Sequence, residues 1–331
     1  MPDTDTIPPR QIQIRNLRIS PPLLLAPMAG VTHSAFRQIL LGFGGVGLLS
    51  IEMLAAKRLP TENPSVSPFL IRTASENPLS YQLLISAIRE MAPAIDALHK
   101  LRADAIDLNM GCPAATVGRF GAGCMLMEKP EDVRRLVAEA RKLTALPLTA
   151  KIRLGVELDE EKLKSFCLML EDEGIDMLSI HARLKNESIA RRPRWERIAG
   201  VKKRLRIPVI ANGGIFSVED AEKCLRVSGA DGLMLGRGAA ISPWLFAEIA
   251  RDLYGCEIAK QAVSLPAVYG NFIDLLNGLF QPEKRLGRLK EFTHYFAKNY
   301  KFGHQLASRV QGSGSLDEAR ERAGLFFESN S

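Results

Sequence analysis

Residues 207–238, IPVIANGGIFSVEDAEKCLRVSGADGLMLGRG, decide the fold. The apolar run Ile207–Ala211 stops at Asn212-Gly213-Gly214, the composition of a strand entering a turn. Ser217-Val218-Glu219-Asp220 then resembles a capping box that opens a helix over Ala221–Val227. A second apolar run, Asp231–Leu235, ends at another glycine turn, Gly236-Arg237-Gly238. Strand, helix and strand in so short a span make a βαβ unit with parallel strands.

Working outward, six further runs share this character: Leu23–Ala26, Val46–Ile51, Leu79–Leu84, Asp104–Leu108, Leu146–Ile152 and Asp176–Ile180. Their near-continuous hydrophobicity suits parallel strands covered on both faces. Helical patterns lie between most of them, one of them opened by Pro130 over Glu131–Leu143. The connection from Leu54 to Pro78, rich in Pro and Asn, is predicted to be irregular. Eight strands alternating with helices over residues 22–255 predict an α/β fold of the (β/α)8 TIM-barrel type. A doubly wound sheet is the competing architecture. However, Gly42, Gly44, Gly45 and Gly47 precede a strand, the wrong order for its dinucleotide fingerprint. After Gly255 the strand signal stops, and residues 260–322 read as helices. The expected organisation is an N-terminal extension (1–20), a TIM-barrel catalytic domain (21–255) and a small C-terminal helical domain (256–331). Its tail, from Gly312 onward, is expected to be partly mobile.

The 331 residues are 46% hydrophobic and 24% charged, enough to build a sizeable core. No apolar run approaches the ~18–20 residues of a membrane span. Residues 1–20 also lack the apolar segment of a secretory signal. Five cysteines at unrelated spacings argue against a disulfide framework and for a reducing compartment, hence a cytoplasmic protein. The formal charge of +7 suits a polyanionic partner. No metal site, no membrane contact and no obligate protein partner is read from the chain.

Active sites of such barrels lie at the carboxyl ends of the strands. Those ends carry Pro27-Met28, Glu52, Gln82, Asn109 with Cys112, Lys151, His181, Asn212-Gly213-Gly214 and Gly236-Arg237. Each has a bland alternative: Gln82 bonded to backbone, His181 satisfied in the core, Lys151 solvated. Eight in register argue for a shared ligand. Alternation puts Thr149 and Lys151 on one face, opposite Leu148 and Ile152. A lysine at the barrel mouth calls for an anion, an electron-rich ring or a Schiff-base partner. The glycine turns after the seventh and eighth strands lie where barrels bind phosphate. Arg237 would add a charged fork there, and the helix near Ser217 a positive dipole end.

Cys112, in DLNMGCP (107–113), is the only cysteine that follows a strand end. Cys167 and Cys224 sit on helical patterns as small core hydrophobes, Cys124 reads as packing, and Cys256 lies near the domain junction. Thiols as a class are mostly protonated at neutral pH and can donate a proton. Two basic stretches remain. Arg191, Arg192, Arg194, Arg197, Lys202, Lys203, Arg204 and Arg206 follow the sixth strand, and their loop part is expected at the mouth. Lys284, Arg285, Arg288, Lys290, Lys298 and Lys301 are interleaved with Phe292, Tyr295, Phe296 and Tyr300. The i, i+4, i+8 spacing of Phe292, Phe296 and Tyr300 is that of a helix core. The cations are either a solvated face or an electrostatic footprint for RNA.

Six segments in this order carry a resemblance: LLLAPMAGVTHSAFR (23–37), DLNMGCPAATVGRFGAG (107–123), KIRLG (151–155), SIHAR (179–183), IPVIANGGI (207–215) and DGLMLGRGA (231–239). Over roughly residues 20–250 the chain resembles the tRNA-dihydrouridine synthases. The resemblance implies an FMN-bearing barrel followed by a helical tRNA-binding domain, with NADPH or NADH as reductant. It implies FMN contacts from Pro27, Met28, Ala29, Gln82, Lys151, Asn212, Gly213, Gly214, Gly236 and Arg237. His181 would lie against the flavin and Asn109 near flavin and target base. The implied activity reduces a uridine of tRNA to 5,6-dihydrouridine, with hydride from the flavin to C6 and a proton from Cys112 to C5. RNA contacts are expected from Arg183, Arg191, Arg192 and Arg194, and from Lys284, Arg285, Arg288 and Lys290. The chain departs from the family pattern at His33, where aspartate is usual. It also has His181-Ala182-Arg183-Leu184 where the family has His-Gly-Arg-Thr. The competitors are a small-molecule FMN oxidoreductase of the dihydroorotate dehydrogenase or ene-reductase type, a non-catalytic RNA-binding protein, and an aldolase using Lys151.

Overall fold

The computed structural model describes residues 9–330. The reading of the first eight residues as part of a polar extension, and the terminal Ser331, lie outside the described residues. A hairpin of β1 (Ile12–Ile14) and β2 (Leu17–Ile19) comes first. Eight strands follow: β3 (Leu23–Leu25), β4 (Leu49–Ala55), β5 (Leu79–Leu84), β6 (Ala105–Met110), β7 (Leu148–Arg153), β8 (Met177–His181), β9 (Val209–Asn212) and β10 (Gly232–Leu235). They pair in parallel in the order β3-β10-β9-β8-β7-β6-β5-β4, and a parallel bridge between Leu24 and Leu48 closes the ring. The protein is a TIM barrel with a C-terminal helical region, and all eight predicted runs are strands.

The largest offset is in β4, which starts three residues later than its predicted run. Gly44 and Gly45 (φ 86° and 82°) hold a left-handed turn there. A Cβ on Gly47 would stand 1.9 Å from the Pro21 carbonyl oxygen, so only glycine fits where the chain passes the residues before β3. Gly47 N donates to Leu23 O at 2.9 Å before the ladder with β5 begins at Leu49.

Alternation sorts the strands into two faces. Ile106, Leu108, Leu148, Ala150, Ile152, Leu178 and Ile180 join the core between sheet and helices. Asp107, Asn109, Thr149, Lys151, Ser179 and His181 take the intervening, inward positions. At the opposite end the hairpin closes the barrel: Ile12, Ile14 and Ile19 pack with Leu24, Leu48, Met177, Ile210 and Met234. The extension at residues 1–20 is therefore partly structural. Its signal was the short alternation Ile12, Ile14, Leu17, Ile19, which the polar residues around it masked.

The irregular connection after β4 holds only a single 3-10 turn, Leu59–Thr61. It is pinned by a buried ion pair between Arg37 and Glu76, 1% and 0% exposed. Arg37 also donates to the carbonyls of Thr32 and Ile71, both at 2.7 Å, so the buried guanidinium is fully engaged.

Helices Leu265–Leu279, Arg285–Phe296, Gly303–Gln311 and Leu316–Glu328 form the C-terminal region. Phe272 stacks on Phe292 (centroids 4.0 Å apart), which stacks on Phe296 and meets Phe36 of the barrel helix Ser34–Phe43. The expected mobile tail is instead the last of these helices. Ser315 caps it by accepting from Glu318 N at 3.1 Å, while the Glu318 carboxylate accepts from Gly314 N at 2.7 Å. Ala319, Ala323 and Phe326 are fully buried. Gly312-Ser313-Gly314-Ser315 thus joins two helices and ends on the cap of the second. No helix among the described residues is long and apolar enough to cross a membrane.

Candidate active site

At the carboxyl ends of the strands lies a cavity of about 310 Å³, within the range of small-molecule and cofactor sites. Pro27, Met28, Ala29, Gln82, Asn109, Cys112, Lys151, His181, Asn212, Gly213, Gly214, Gly236 and Arg237 all border it. So do Met53, Arg153, Phe216 and, from the helical region, Tyr295. Among the described residues, no aspartate or glutamate borders it.

A buried chain of hydrogen bonds sets the floor. Thr149 Oγ1 donates to Asp107 (2.6 Å), Gln82 Nε2 donates to the other Asp107 oxygen (2.6 Å), and Asn109 Nδ2 donates to Gln82 Oε1 (2.7 Å). Asn109 Oδ1 then accepts from the backbone N–H groups of Gly111 (3.2 Å) and Cys112 (3.0 Å). This turn ends β6 and delivers Cys112 to the rim, half-buried and free. Burial raises the Asp107 carboxyl, opposed by the hydrogen bonds from Thr149 and Gln82 and by the charge of Lys151. Arg153 braces the same loop by donating to the carbonyls of Gly111 (2.9 Å) and Leu184 (3.0 Å). Cys124 N donates to the Cys112 carbonyl at 3.0 Å. Cys124, Cys167 and Cys224 are fully buried, in keeping with their reading as packing residues.

The cations of the cavity crowd one another. Burial, followed by the charge of Arg153, lowers Lys151 to about 8, against opposing pulls from Asp107 and Cys112. His181 is held well below its usual value, first by burial and then by Lys151, Arg153, Arg183 and Arg237. The imidazole is therefore neutral at pH 7. Arg183 Nη1 donates to its Nε2 at 3.0 Å, so the ring proton resides on Nδ1.

The glycines of the NGG turn are there because nothing larger fits. Gly213 has φ 103°, and a Cβ on it would lie 2.5 Å from His181 Cδ2. A Cβ on Gly214 (φ 75°) would lie 2.7 Å from Pro193 Cγ. Gly213→Ala should therefore cost about 2 kcal/mol or more in a urea titration, through the left-handed backbone and the displaced imidazole. An unchanged midpoint would show that the turn tolerates a side chain.

The expected RNA-contacting residues divide. Arg183 is 2% exposed, and its guanidinium bonds His181 and the carbonyls of Ile189 and Arg191. It shapes the loop from inside and presents nothing to a partner, which corrects its expected RNA contact. Arg194 pairs with Glu187 at 2.5 Å. Arg197 pairs with Glu160, and Lys202 with Asp231. Helix Glu196–Lys202 runs back along the barrel, so Lys202, Lys203, Arg204 and Arg206 lie at the end away from the mouth. Arg191 and Arg192 remain exposed at the mouth. In the helical region Lys284 is exposed. Arg285 bonds Phe280 O and Asn277, Arg288 lies 4.5 Å over the Phe280 ring, and Lys290 donates to Ser313 O at 2.8 Å.

His33 lies beneath that surface, packed against the same Phe280 ring as Arg288. It is 2% exposed between Phe272 and Phe280, with no hydrogen bond to either ring nitrogen. Burial, then Arg288 and Arg37, hold it well below its usual value, so it is a neutral aromatic filler between barrel and helices. Nearby Glu52 accepts from Gly30 N at 2.6 Å, and burial raises its carboxyl.

Three contributors escaped the sequence reading. Arg153 follows Lys151 by two residues, and strand alternation would have put it on the same face. Asp107 lies inside the quoted DLNMGCP segment, but a carboxylate facing other side chains looks the same in sequence as one facing solvent. Tyr295 reaches the cavity only because of how the helical region docks.

The sequence profile of the dihydrouridine synthases (Dus) matches residues 24–316. The chain belongs to the dihydrouridine synthase family. It is 37% identical over 245 residues to a Rhodobacter capsulatus protein named "Probable tRNA-dihydrouridine synthase", covering 74% of this chain and 75% of that one. It is 36% identical over 331 residues to "Probable tRNA-dihydrouridine synthase 1" of Synechocystis sp., covering 97% of this chain and 92% of the relative. Among solved structures, histamine dehydrogenase from Rhizobium sp. 4-9 superposes with a TM-score of 0.57 at 13% identity, over 81% of this chain and 51% of that one. That likeness concerns the fold alone. For a dihydrouridine synthase, the cavity is where the shared segments converge: each of the six contributes at least one lining residue.

Proposed function

We propose that this chain reduces a specific uridine of tRNA to 5,6-dihydrouridine, using FMN as cofactor and NADPH or NADH as reductant. The observation that carries the reading is one cavity free of carboxylates, ringed by Lys151, Arg153 and Arg237, with a thiol at its rim. FMN suits the residues present. Its phosphate is an anion that glycine turns at Gly213-Gly214 and Gly236 can approach closely, with Arg237 beside them. Among the described residues the Lys151 ammonium makes no hydrogen bond or ion pair, so it is available to the electron-rich end of a flavin ring.

When bound and reduced, FMN supplies the hydride that reaches uracil C6. Cys112 then gives its proton to C5, which balances the added hydride and leaves a saturated C5–C6 bond. Asn109 fixes the thiol's height through the two N–H groups it accepts, and Gln82 and Asp107 fix Asn109. His181, neutral and tied by Arg183, contributes Nδ1–H as a donor and no charge. Of the residues expected to contact RNA, Arg191, Arg192 and Lys284 are the exposed ones and are available to phosphate, and the helical region is read as the tRNA-binding domain. Uridine must leave its stack to reach the cavity, at a cost of a few kcal/mol. Phosphate contacts can offset that cost. tRNA and the nicotinamide reductant meet in the cytoplasm, where this reading has the enzyme work.

The test is direct. Protein loaded with FMN and given NADPH should form dihydrouridine, read by mass spectrometry, in bulk tRNA from cells lacking the modification. The rate at subsaturating tRNA should fall steeply with added salt. Failure with every tRNA, together with turnover of an enone or dihydroorotate, would replace this reading with the small-molecule oxidoreductase.

A further inference from the structure

One conspicuous side chain at the mouth end of the barrel, outside the cavity lining, is left unused. Phe120 is 75% exposed, the most of any large hydrophobic residue among the described residues. It lies on the loop that follows β6 and begins with Cys112, so it stands at the mouth end of the barrel. Single exposed hydrophobics are common and usually carry no message. This one is held in place. Phe120 N donates to Val117 O (3.1 Å) and Gly121 N to Gly118 O (3.0 Å), closing consecutive turns. Gly123 (φ 63°) approaches so closely that a Cβ there would stand 2.7 Å from the Cys112 carbonyl and 2.8 Å from Val117 Cγ1. The turn that carries the ring is thereby pressed onto the residue that carries the thiol.

Charge frames the ring. Arg119 and Lys129 are exposed on the same loop, and the Lys129 ammonium stands 3.9 Å from where a Gly121 Cβ would be. Arg191 and Arg192 are exposed on the loop after β8, at the same end of the barrel. An uncovered aromatic face among cations is the composition of a base-stacking platform, with phosphates held on either side. The proposed chemistry also creates a need for one. Extracting a uridine from its stack leaves the neighbouring base with an uncovered face.

We propose that Phe120 is the platform on which the base next to the reacting uridine stacks. This rests on the tRNA-reducing reading above. In FMN-loaded enzyme, Phe120→Ala should raise KM for bulk unmodified tRNA, lowering kcat/KM about tenfold. The rate of flavin reduction by NADPH and the melting temperature should stay unchanged. Phe120→Trp should restore kcat/KM, whereas Phe120→Leu, apolar but without a ring face, should behave like alanine. Wild-type kcat/KM in the alanine variant, or leucine rescuing as well as tryptophan, overturns the stacking role. Absence of dihydrouridine from the wild-type protein itself would instead count against the tRNA-reducing reading.

Discussion

Cys112→Ala should yield a protein that binds FMN and is reduced by NADPH as readily as the wild type, yet forms dihydrouridine about 100- to 10,000-fold more slowly. The expectation follows from position. The hydrogen-bond chain from Thr149 to Asn109 acts on the backbone of Cys112 and not on its sulfur, so removing the sulfur leaves the floor of the cavity standing. Cys112 is also the only cysteine bordering the cavity, which leaves no second thiol to substitute for it. Single-turnover mixing of reduced enzyme with tRNA separates the two half-reactions. Normal flavin reoxidation by tRNA in this variant would remove Cys112 from the proton-transfer step.

Lys151→Met should have the opposite signature: the cofactor is lost while the fold gains. Deleting the charge meant for the flavin should weaken FMN binding about 100- to 1000-fold, measurable by fluorescence titration. The cofactor-free variant should nevertheless be more stable than cofactor-free wild type at pH 7, by about 1–3 kcal/mol. The sign follows from linkage. Lys151 titrates near 8 in the folded protein against 10.5 for a free lysine, so between those values the unfolded chain binds more protons. The cost of burying its charge is fully present below about pH 8 and is relieved as pH rises toward 10.5. Cofactor-free wild type should therefore gain on the variant across that window in urea titrations. A variant that binds FMN normally would take Lys151 out of the cofactor site.

The fold was legible because its strands depart from pure hydrophobicity at one end only. Leu148-Thr149-Ala150-Lys151 reads as a buried strand with a charge where none belongs, and alternation then says which way the charge points. The glycines of the last two turns were legible for a similar reason, since strands rarely end on glycine pairs without a close approach to accommodate. What stayed hidden depends on contacts made at a distance. Whether Arg183 faces solvent or the loop's own carbonyls is decided by the path of residues 184–194, and no local pattern encodes that path. The division of the basic cluster at 191–206 into a loop part at the mouth and a helix was legible, but the ion pairs that occupy Arg194, Arg197 and Lys202 were not. Tyr295 and His33 both owe their settings to the docking of the helical region, which required Phe36 and Phe292 to meet across more than 250 residues. The closing helix was read only to residue 322 and its start taken for a mobile tail, because Gly and Ser serve linkers and helix caps alike.

The β1–β2 hairpin covers the end of the barrel opposite the cavity, so a ligand meets the cavity from the carboxyl ends of the strands. If the protein works as proposed, the electron donor and the RNA would both come to that face. Sharing one set of rim residues, they would bind in turn, and the capped end would take part in neither encounter.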